Sequence, residues 1–175
     1  MNSLIGANVS LRALEPKDAQ ILYEWENDAE VWKVSNTLVP FSMHLLEIYV
    51  NSAQDIYLNK QLRFMICLKD KAIGTIDLFD YEPFHQRAGV GIIIADKSQR
   101  QKGYASEALG IIVDYCFSIL FLHQLYCNIE SSNEQSLKLF LAKDFSIVGV
   151  KKDWNRTSDS FNDEYLLQLI NYNQY

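Results

Sequence analysis

The chain has 175 residues, of which 49% are hydrophobic, 7 are glycine and 3 are proline, and its net charge is −6. This length suits one domain with a sizeable core, and the composition excludes a disordered or fibrous protein. The negative charge argues against nucleic acid as a general partner. The sequence has no secretory signal pattern and no apolar run of membrane-spanning length. We therefore expect a cytoplasmic protein without membrane contact.

Hydrophobic patterning along the chain predicts an α/β domain with a mixed sheet and helices on both faces. Pro16 is placed to open a first helix, and Ser42 to cap a second. The other predicted elements are, in order, strands at 9–14 (before Pro16), 61–68, 72–81 and 87–95, a helix at 105–120, a strand at 124–129, a short helix capped by Asn133, and strands at 145–150 and 164–170.

Two groups of side chains invite a chemical interpretation that the sequence leaves open. The segment 24–30 carries four carboxylates, which we interpret as a solvated helix face. The cysteines Cys67, Cys116 and Cys127 lie in apolar surroundings, so we expect buried free thiols rather than a nucleophile. The three histidines are too dispersed to form a metal site, and we expect no metal.

The clearest functional signal lies between the strand ending at Ala95 and the helix that follows. Its apolar strand residues are Ile92, Ile93 and Ile94, and its polar loop and helix start read Arg100-Gln101-Lys102-Gly103-Tyr104-Ala105-Ser106. Free backbone N–H groups, two cations and the positive end of a helix dipole all favour an anion. Gly103 has no Cβ and allows close approach of a ligand. A pyrophosphate is the expected ligand, and an ordinary turn with solvated charges is the alternative.

Two segments of this chain resemble the GNAT N-acetyltransferase superfamily. Arg100-Gln101-Lys102-Gly103-Tyr104-Ala105 is similar to that family's pyrophosphate loop, Gln/Arg-x-x-Gly-x-Gly/Ala. The segment from Asn133 to Phe145 resembles its Asn-x-x-Ser/Ala-x-x-x-Tyr-x-x-x-Gly-Phe pattern. The order and spacing of both segments match, and the ribosomal-protein (RimJ/RimL-type) and spermidine N-acetyltransferases are the branch that the chain resembles most.

The resemblance implies a single GNAT-like domain over residues 1–175, with a central sheet splayed between the strands near Ala95 and Leu125. It implies transfer of an acetyl group from acetyl-CoA to a primary amine, directly, in a ternary complex. The acceptor would be a polyamine, another small amine or a protein N-terminus, and a homodimer is expected. The implied cofactor-binding residues are Ile92, Ile93, Ile94, Arg100, Gln101, Lys102, Gly103, Tyr104, Ala105, Ser106, Asn133, Ser136 and Phe140.

The chain departs from the spermidine enzymes at two positions that carry their chemistry. Phe140 stands where those enzymes have a tyrosine acid, and Gly89 where they tend to have a glutamate. By resemblance to the ribosomal-protein enzymes, Ser136 is a candidate acid and Asp153 a candidate base. Their alternatives are a serine bonded to its own helix backbone and a solvated surface carboxylate. An acyl-CoA-binding or regulatory module with little transferase activity is therefore the alternative function.

Overall fold

The computed structural model describes residues 4–35, 37–52 and 54–172. Its strands are β1 (Val9–Ala13), β2 (Leu62–Leu68), β3 (Lys71–Glu82), β4 (Arg87–Ile94), β5 (Gln124–Glu130), β6 (Ser146–Arg156) and β7 (Phe161–Ile170). Its helices are α1 (Ala19–Glu26), α2 (Ala29–Ser35), α3 (Met43–Asn51), α4 (Ile56–Asn59), α5 (Tyr104–Ser118) and α6 (Glu134–Leu141). The strands form one sheet in the order β1-β2-β3-β4-β5-β7-β6, which confirms the predicted mixed sheet.

Two short helices were missed by the sequence prediction, and side-chain caps explain both. Asp28 accepts a hydrogen bond from the N–H of Glu30 (2.8 Å) and starts α2, where the sequence predicted an acidic helix face running into a loop. Asp55 accepts from the N–H groups of Tyr57 and Leu58 and starts α4. Each helix has at most seven residues, too few to give a helical period that can be recognised.

The last two strands extend further into the polar segment 155–162 than predicted. Cross-strand ion pairs hold this part together, with Lys151 against Glu164 (2.8 Å) and Lys152 against Asp163 (2.6 Å). Opposite charges across an antiparallel pair stabilise the pairing even where apolar alternation is weak. The hairpin therefore continues beyond the apolar part from which it was predicted.

The sheet has two chemically different faces. Phe64 and Ile66 of β2 belong to the core around α5, whereas Met65 and Cys67 belong to a second core with α1 and α3. Because successive strand side chains point to opposite faces, the same alternation assigns the other strands. We call the side packed by α5 the α5 face and the opposite side, packed by α1 and α3 over β1–β3, the α1 face.

The sheet divides between β4 and β5. These parallel strands pair only at Arg87–Gly89 and Gln124–Tyr126, although β4 continues to Ile94 and β5 to Glu130. Beyond the pair formed by Gly89 and Tyr126, the two strands separate, while β5 keeps its pairing with β7 along its whole length. This opening is the splayed centre that the sequence predicted.

Gly74 on β3 allows β3 and β4 to approach closely, on the side of β4 that faces away from the opening. A Cβ at Gly74 would overlap the carbonyl oxygen of Ile93 and lie 2.9 Å from the Cα of Ile94. Both are backbone atoms, so neither can move aside without disturbing the strand that borders the opening. Overpacking of this kind commonly costs about 1–3 kcal/mol.

We expect Gly74→Ala to lower the free energy of unfolding by about 1–3 kcal/mol, measured by urea denaturation. Gly149→Ala is the matched control, because a Cβ there would lie at an ordinary 3.8 Å from Leu166. Equal changes in the two variants would contradict the packing argument.

Candidate active site

The loop after β4 forms a cradle of backbone N–H groups at the start of α5. Gly103 has φ 86° and Gln101 has φ 60°, so both lie in the left-handed region. Gly103 supplies no side-chain cap, and a Cβ on it would meet no atom within 4 Å. The first helical N–H groups, those of Tyr104, Ala105 and Ser106, have no hydrogen-bond partner among the described residues. This arrangement fits the pyrophosphate that the sequence predicts.

The cations of this loop are partly neutralised by the acidic segment before and within α2. Arg100 donates through Nε to the carbonyl of Ile94 (2.9 Å) and pairs through Nη1 with Glu30 (3.1 Å). Lys97 lies 3.1 Å from Asp28 and 3.2 Å from Glu30. These contacts lower the pKa of both carboxyl groups, mainly through the hydrogen bond from Glu30 N–H for Asp28 and through Lys97 for Glu30. The start of α2 is thus attached to the cofactor loop.

The acidic segment 24–30 is therefore only partly the solvated face that we expected. Glu26 is largely buried and pairs with Arg63, which also binds Asp77 through two hydrogen bonds of 2.6 and 3.0 Å. Glu24, in contrast, is exposed on α1 and, among the residues that the structure describes, accepts only from Gln20. The carboxylates of this segment thus connect α1 and α2 to the sheet and to the cofactor loop.

Glu107 is the acidic residue in the first turn of α5, and it does not oppose an anion at the helix start. Its carboxylate accepts from the backbone N–H groups of Asn8 (2.7 Å) and Val9 (3.2 Å) and from the Asn8 side chain. Partial burial acts to raise its pKa, but these hydrogen bonds outweigh it and lower the pKa. Glu107 therefore anchors the segment before β1 to α5.

The second sequence segment lies on α6. Asn133 caps the helix by accepting from the N–H of Ser136 (3.1 Å), as predicted. The Ser136 hydroxyl is half-buried and makes no hydrogen bond within the described part of the chain, so bonding to its own backbone is not observed. Phe140 is 2% exposed and packs edge-on against Phe145, with the ring centroids 5.0 Å apart.

Asp153 lies on β6, the strand that follows α6. It is exposed on this outermost strand, and β7 separates β6 from β5. Its backbone has φ 49° within a bulge, and its N–H donates to Asp163 (3.0 Å). The role of Asp153 as a base stays a prediction.

The sequence reasoning missed the side chain that accounts for Gly89. The ring of Phe79, on β3, covers the α1 face of Gly89 so closely that any Cβ would overlap it. A glutamate at position 89 would compete with this ring for the same space. Only the register that sets Phe79 opposite Gly89 reveals this, because the two residues are separated by a turn in the sequence.

The α1 face beside the opening carries carboxylates in excess of cations. Glu130 and Glu164 are register partners on β5 and β7, and Glu164 is 7% exposed. Lys151 pairs with Glu164 and also donates to Asn128 (2.9 Å), while Asn162 donates to Glu130 (2.8 Å). Two close carboxylates with one ammonium leave a surface that favours a cationic ligand.

Other candidates for a reactive site have weaker chemistry. All three cysteines are buried and free, and burial raises the pKa of Cys116 and raises that of Cys127 to about 12. Such thiols are not nucleophiles at neutral pH. No cluster of metal-ligating side chains occurs in residues 4–35, 37–52 and 54–172. No helix in the same ranges is long and apolar enough to cross a membrane.

A cavity of about 750 Å³ lies away from the opening, between α5, the α6–β6 connection and the hairpin of β6 and β7. It borders the residues of β7 that pair with the closed end of β5, such as Gln168 and Ile170. Its position does not connect it with the start of α5. We therefore locate the candidate site at the opening, where the free N–H groups and the cations lie.

Comparison with known proteins identifies the family of the chain. The sequence profile of the Acetyltransferase (GNAT) domain matches residues 8–145. The chain belongs to the GNAT acetyltransferase family. The N-acetyltransferase p20 of Bacillus licheniformis is 29% identical over 174 residues, covering 97% of each chain. The spermidine N(1)-acetyltransferase of Escherichia coli K12 is 28% identical over 144 residues, covering 81% of this chain and 75% of that protein. This GNAT chain is an N-acetyltransferase.

The fold agrees with that of solved GNAT relatives. The spermidine N-acetyltransferase of Vibrio cholerae, solved with CoA and spermine, superposes with a TM-score of 0.85 at 24% identity, covering 94% of this chain and 96% of that one. A dodecameric form of that enzyme gives a TM-score of 0.78, also at 24% identity, over 94% and 95% of the two chains. The homodimer expected for our chain stays a prediction.

The ion pairs between α2 and the loop give a test of the anion site. We expect the double variant Asp28→Asn/Glu30→Gln to bind acetyl-CoA several-fold more tightly at low salt, because Lys97 and Arg100 would lose their competing partners. The gain should shrink as salt rises, since exposed charges are screened. Calorimetric titration at two salt concentrations measures both effects.

The control variant is Glu24→Gln/Glu47→Gln, which makes the same change in net charge on α1 and α3. Neither residue has an ion-pair partner among the described residues. An equal gain in the control would show a general charge effect and would contradict competition at the loop.

Proposed function

We propose that this chain transfers an acetyl group from acetyl-CoA directly to a primary amine, with both substrates bound together. The observation that carries the proposal is the position of the opening between β4 and β5. On one side of it lies the cradle of free N–H groups at α5, and on the other the carboxylate-rich α1 face. One end of the site is suited to a pyrophosphate and the other to a cationic acceptor.

The residues that would hold acetyl-CoA are those of the cradle and of the β4 edge. Tyr104, Ala105 and Ser106 offer their N–H groups to the pyrophosphate, with Arg100 and Lys102 as countercharges. The residues of β4 beyond Gly89 no longer pair with β5, so their backbone groups on that side are available to the amide-bearing arm of the cosubstrate. Ile94 is a special case, because its carbonyl already accepts from Arg100.

The acceptor is proposed to be a small amine, with a polyamine or a protein N-terminus as the classes to compare. A positively charged amine is favoured by Glu130 and Glu164 beside the opening. The relatives named for spermidine support a polyamine within this class. Their identity to our chain is 28% or less, so the acceptor has to be decided by measurement.

Direct transfer needs no protein nucleophile. This agrees with the burial of all three cysteine thiols. The amine nitrogen attacks in its neutral form, so an acceptor that arrives as an ammonium first releases one proton to solvent. The nitrogen then forms a bond to the acetyl carbon, the carbon–sulfur bond breaks, and the second proton lost by nitrogen balances the proton gained by sulfur. Within this scheme Ser136 is proposed as a proton donor, because its hydroxyl is not engaged elsewhere in the described chain. Proximity of the two bound substrates would supply much of the rate.

A second function, binding of acyl-CoA without efficient transfer, is favoured by two specific observations. The Phe140 side chain has no proton to donate and is buried in the core. Gly89 is covered by Phe79, so no carboxylate takes the place of the glutamate there. Acetylation of any amine by the wild-type protein would exclude this alternative.

The deciding experiment follows thiol release from acetyl-CoA with spermidine, spermine, aminoglycosides, amino acids and short peptides. We expect release above the no-amine rate with at least one polyamine. A rise in melting temperature with acetyl-CoA reports cosubstrate binding independently of turnover. A clear thermal shift without release would instead favour the binding module.

Gly103→Asp tests the cradle within the same experiment. A carboxylate there would enter the space left for the anion, so we expect the thermal shift with acetyl-CoA to be abolished and turnover to fall at least tenfold. Gln86→Asp is the control, since it adds one carboxylate at another exposed left-handed position (φ 49°). An unchanged thermal shift in Gly103→Asp would contradict the cradle.

A further inference from the structure

A tyrosine and an aspartate meet on the α1 face at the point where β4 and β5 part. Tyr126 lies opposite Gly89 in the last paired position of the two strands. Its hydroxyl donates to the Asp80 carboxylate, with 2.9 Å between Oη and Oδ2. The two residues are 46 positions apart in the sequence and come together only because β3, β4 and β5 are adjacent.

Packing holds this pair in place. The Tyr126 ring meets Phe79 edge-on, with centroids 5.8 Å apart, and Phe79 in turn covers Gly89. Asp80 has φ 48° at the register shift between Phe79 and Glu82, a conformation that aspartate tolerates better than most residues. The shift directs Asp80 toward β5, so its carboxylate reaches a residue two strands away.

The Asp80 carboxylate is available to a cation. Asp77 pairs with Arg63 and Glu164 with Lys151, whereas Asp80 has no ion-pair partner in residues 4–35, 37–52 and 54–172. Only one of its oxygens accepts from Tyr126. The side chain is exposed, so it can be reached from solvent.

The surface next to the pair has room for a ligand. A Cβ on Gly91 would contact only the Phe79 ring, at 3.8 Å, and nothing else within 4 Å. Asn128, the next residue of β5 on this face, is exposed. A slender molecule can therefore lie over Gly91, between Tyr126 and the opening.

The hydrogen bond of Tyr126 decides between a reacting and a binding role. Partial burial and then the hydrogen bond to Asp80 raise the pKa of Tyr126 to about 12, although the nearby Arg87 acts in the opposite direction. The Tyr126 hydroxyl already donates to Asp80, so Tyr126 is suited to hold a ligand and not to protonate the leaving group.

The position along the strand supports the same conclusion. Gly89 lies four residues before Ile93, which is about 13 Å along an extended strand. Under the proposed function the acetyl group would lie in the opening, beside the residues of β4 that do not pair with β5, such as Ile93. The pair is thus several bond lengths from the reacting nitrogen and within reach of a second amino group on the same acceptor.

We propose that Asp80 and Tyr126 bind an ammonium group of the acceptor other than the one that is acetylated. Asp80 supplies the negative charge, and the Tyr126 oxygen accepts a hydrogen bond from the same ammonium while the Tyr126 O–H continues to donate to Asp80. The pair would thereby distinguish acceptors with two amino groups from those with one. This inference rests on the proposed function and names the residues that select its substrate.

The test compares a monoamine with a diamine of the same chain length whose two nitrogens can span about 13 Å, such as nonylamine with 1,9-diaminononane. For Asp80→Asn we expect KM for the diamine to rise at least tenfold, kcat to change less, and the preference for diamine over monoamine to fall at least tenfold. Tyr126→Phe should change the preference in the same direction by about threefold or more. The affinity for acetyl-CoA, measured by the thermal shift, should change less than twofold in both variants.

Two controls lie on α5, away from this face. Asp114→Asn removes an exposed carboxylate and Tyr115→Phe removes a phenol that packs against Phe64. Neither should alter the diamine preference. Equal losses for diamine and monoamine in Asp80→Asn, or an unaltered preference, would overturn the proposal.

Equilibrium binding separates this proposal from the proposed function. Calorimetric titration of diamine into the CoA-bound protein needs no turnover. Binding that weakens at least tenfold in Asp80→Asn would support the ammonium site even if wild-type protein acetylates no amine, in which case only the proposed function fails. Diamine binding that is absent, or equal in wild type and variant, would overturn the site itself.

Discussion

The parting of β4 and β5 after three residue pairs is the constraint on which the rest of this structure depends. A parallel pair that ends inside a sheet leaves backbone N–H and C=O groups without strand partners, and such groups are costly unless something else satisfies them. Pairing with β7 supports β5 along its length, and pairing with β3 supports β4. The inner edges are left for a ligand, which explains why the sheet can stay open without losing its order.

Charge is distributed around this opening in a way that the net charge of the chain does not reveal. The loop before α5 concentrates Lys97, Arg100 and Lys102, whereas the α1 face concentrates carboxylates. Because screening limits such fields to about 8–10 Å at physiological salt, an acidic protein can still offer a local anion site. Asp28 and Glu30 form ion pairs with Lys97 and Arg100, and these pairs connect α2 to the loop before α5.

The sequence predicted those parts of the site that depend on neighbours along the chain. The order of β4, loop and α5, and the cap formed by Asn133, follow from local patterning and local hydrogen bonds. Contacts set by strand register, such as Phe79 over Gly89, could not be predicted, because register depends on the whole sheet. The ion pair between Glu30 and Arg100 spans 70 positions and was missed for the same reason.

Gly89 and Phe79 change how the two departures from the spermidine enzymes are understood. In the sequence, Gly89 indicates that the glutamate of the spermidine enzymes is missing. In the structure, the absence of a Cβ at Gly89 allows the Phe79 ring to lie directly against β4. Phe79 then supports the Tyr126 ring, whose hydroxyl is bound to Asp80. The Asp80 carboxylate on β3 therefore supplies a negative charge at the point where β4 and β5 separate, in place of a carboxylate on β4. Acetyl transfer to an ammonium releases one proton overall, so the position of this carboxylate bears both on how a cationic acceptor would be held and on where that proton would go.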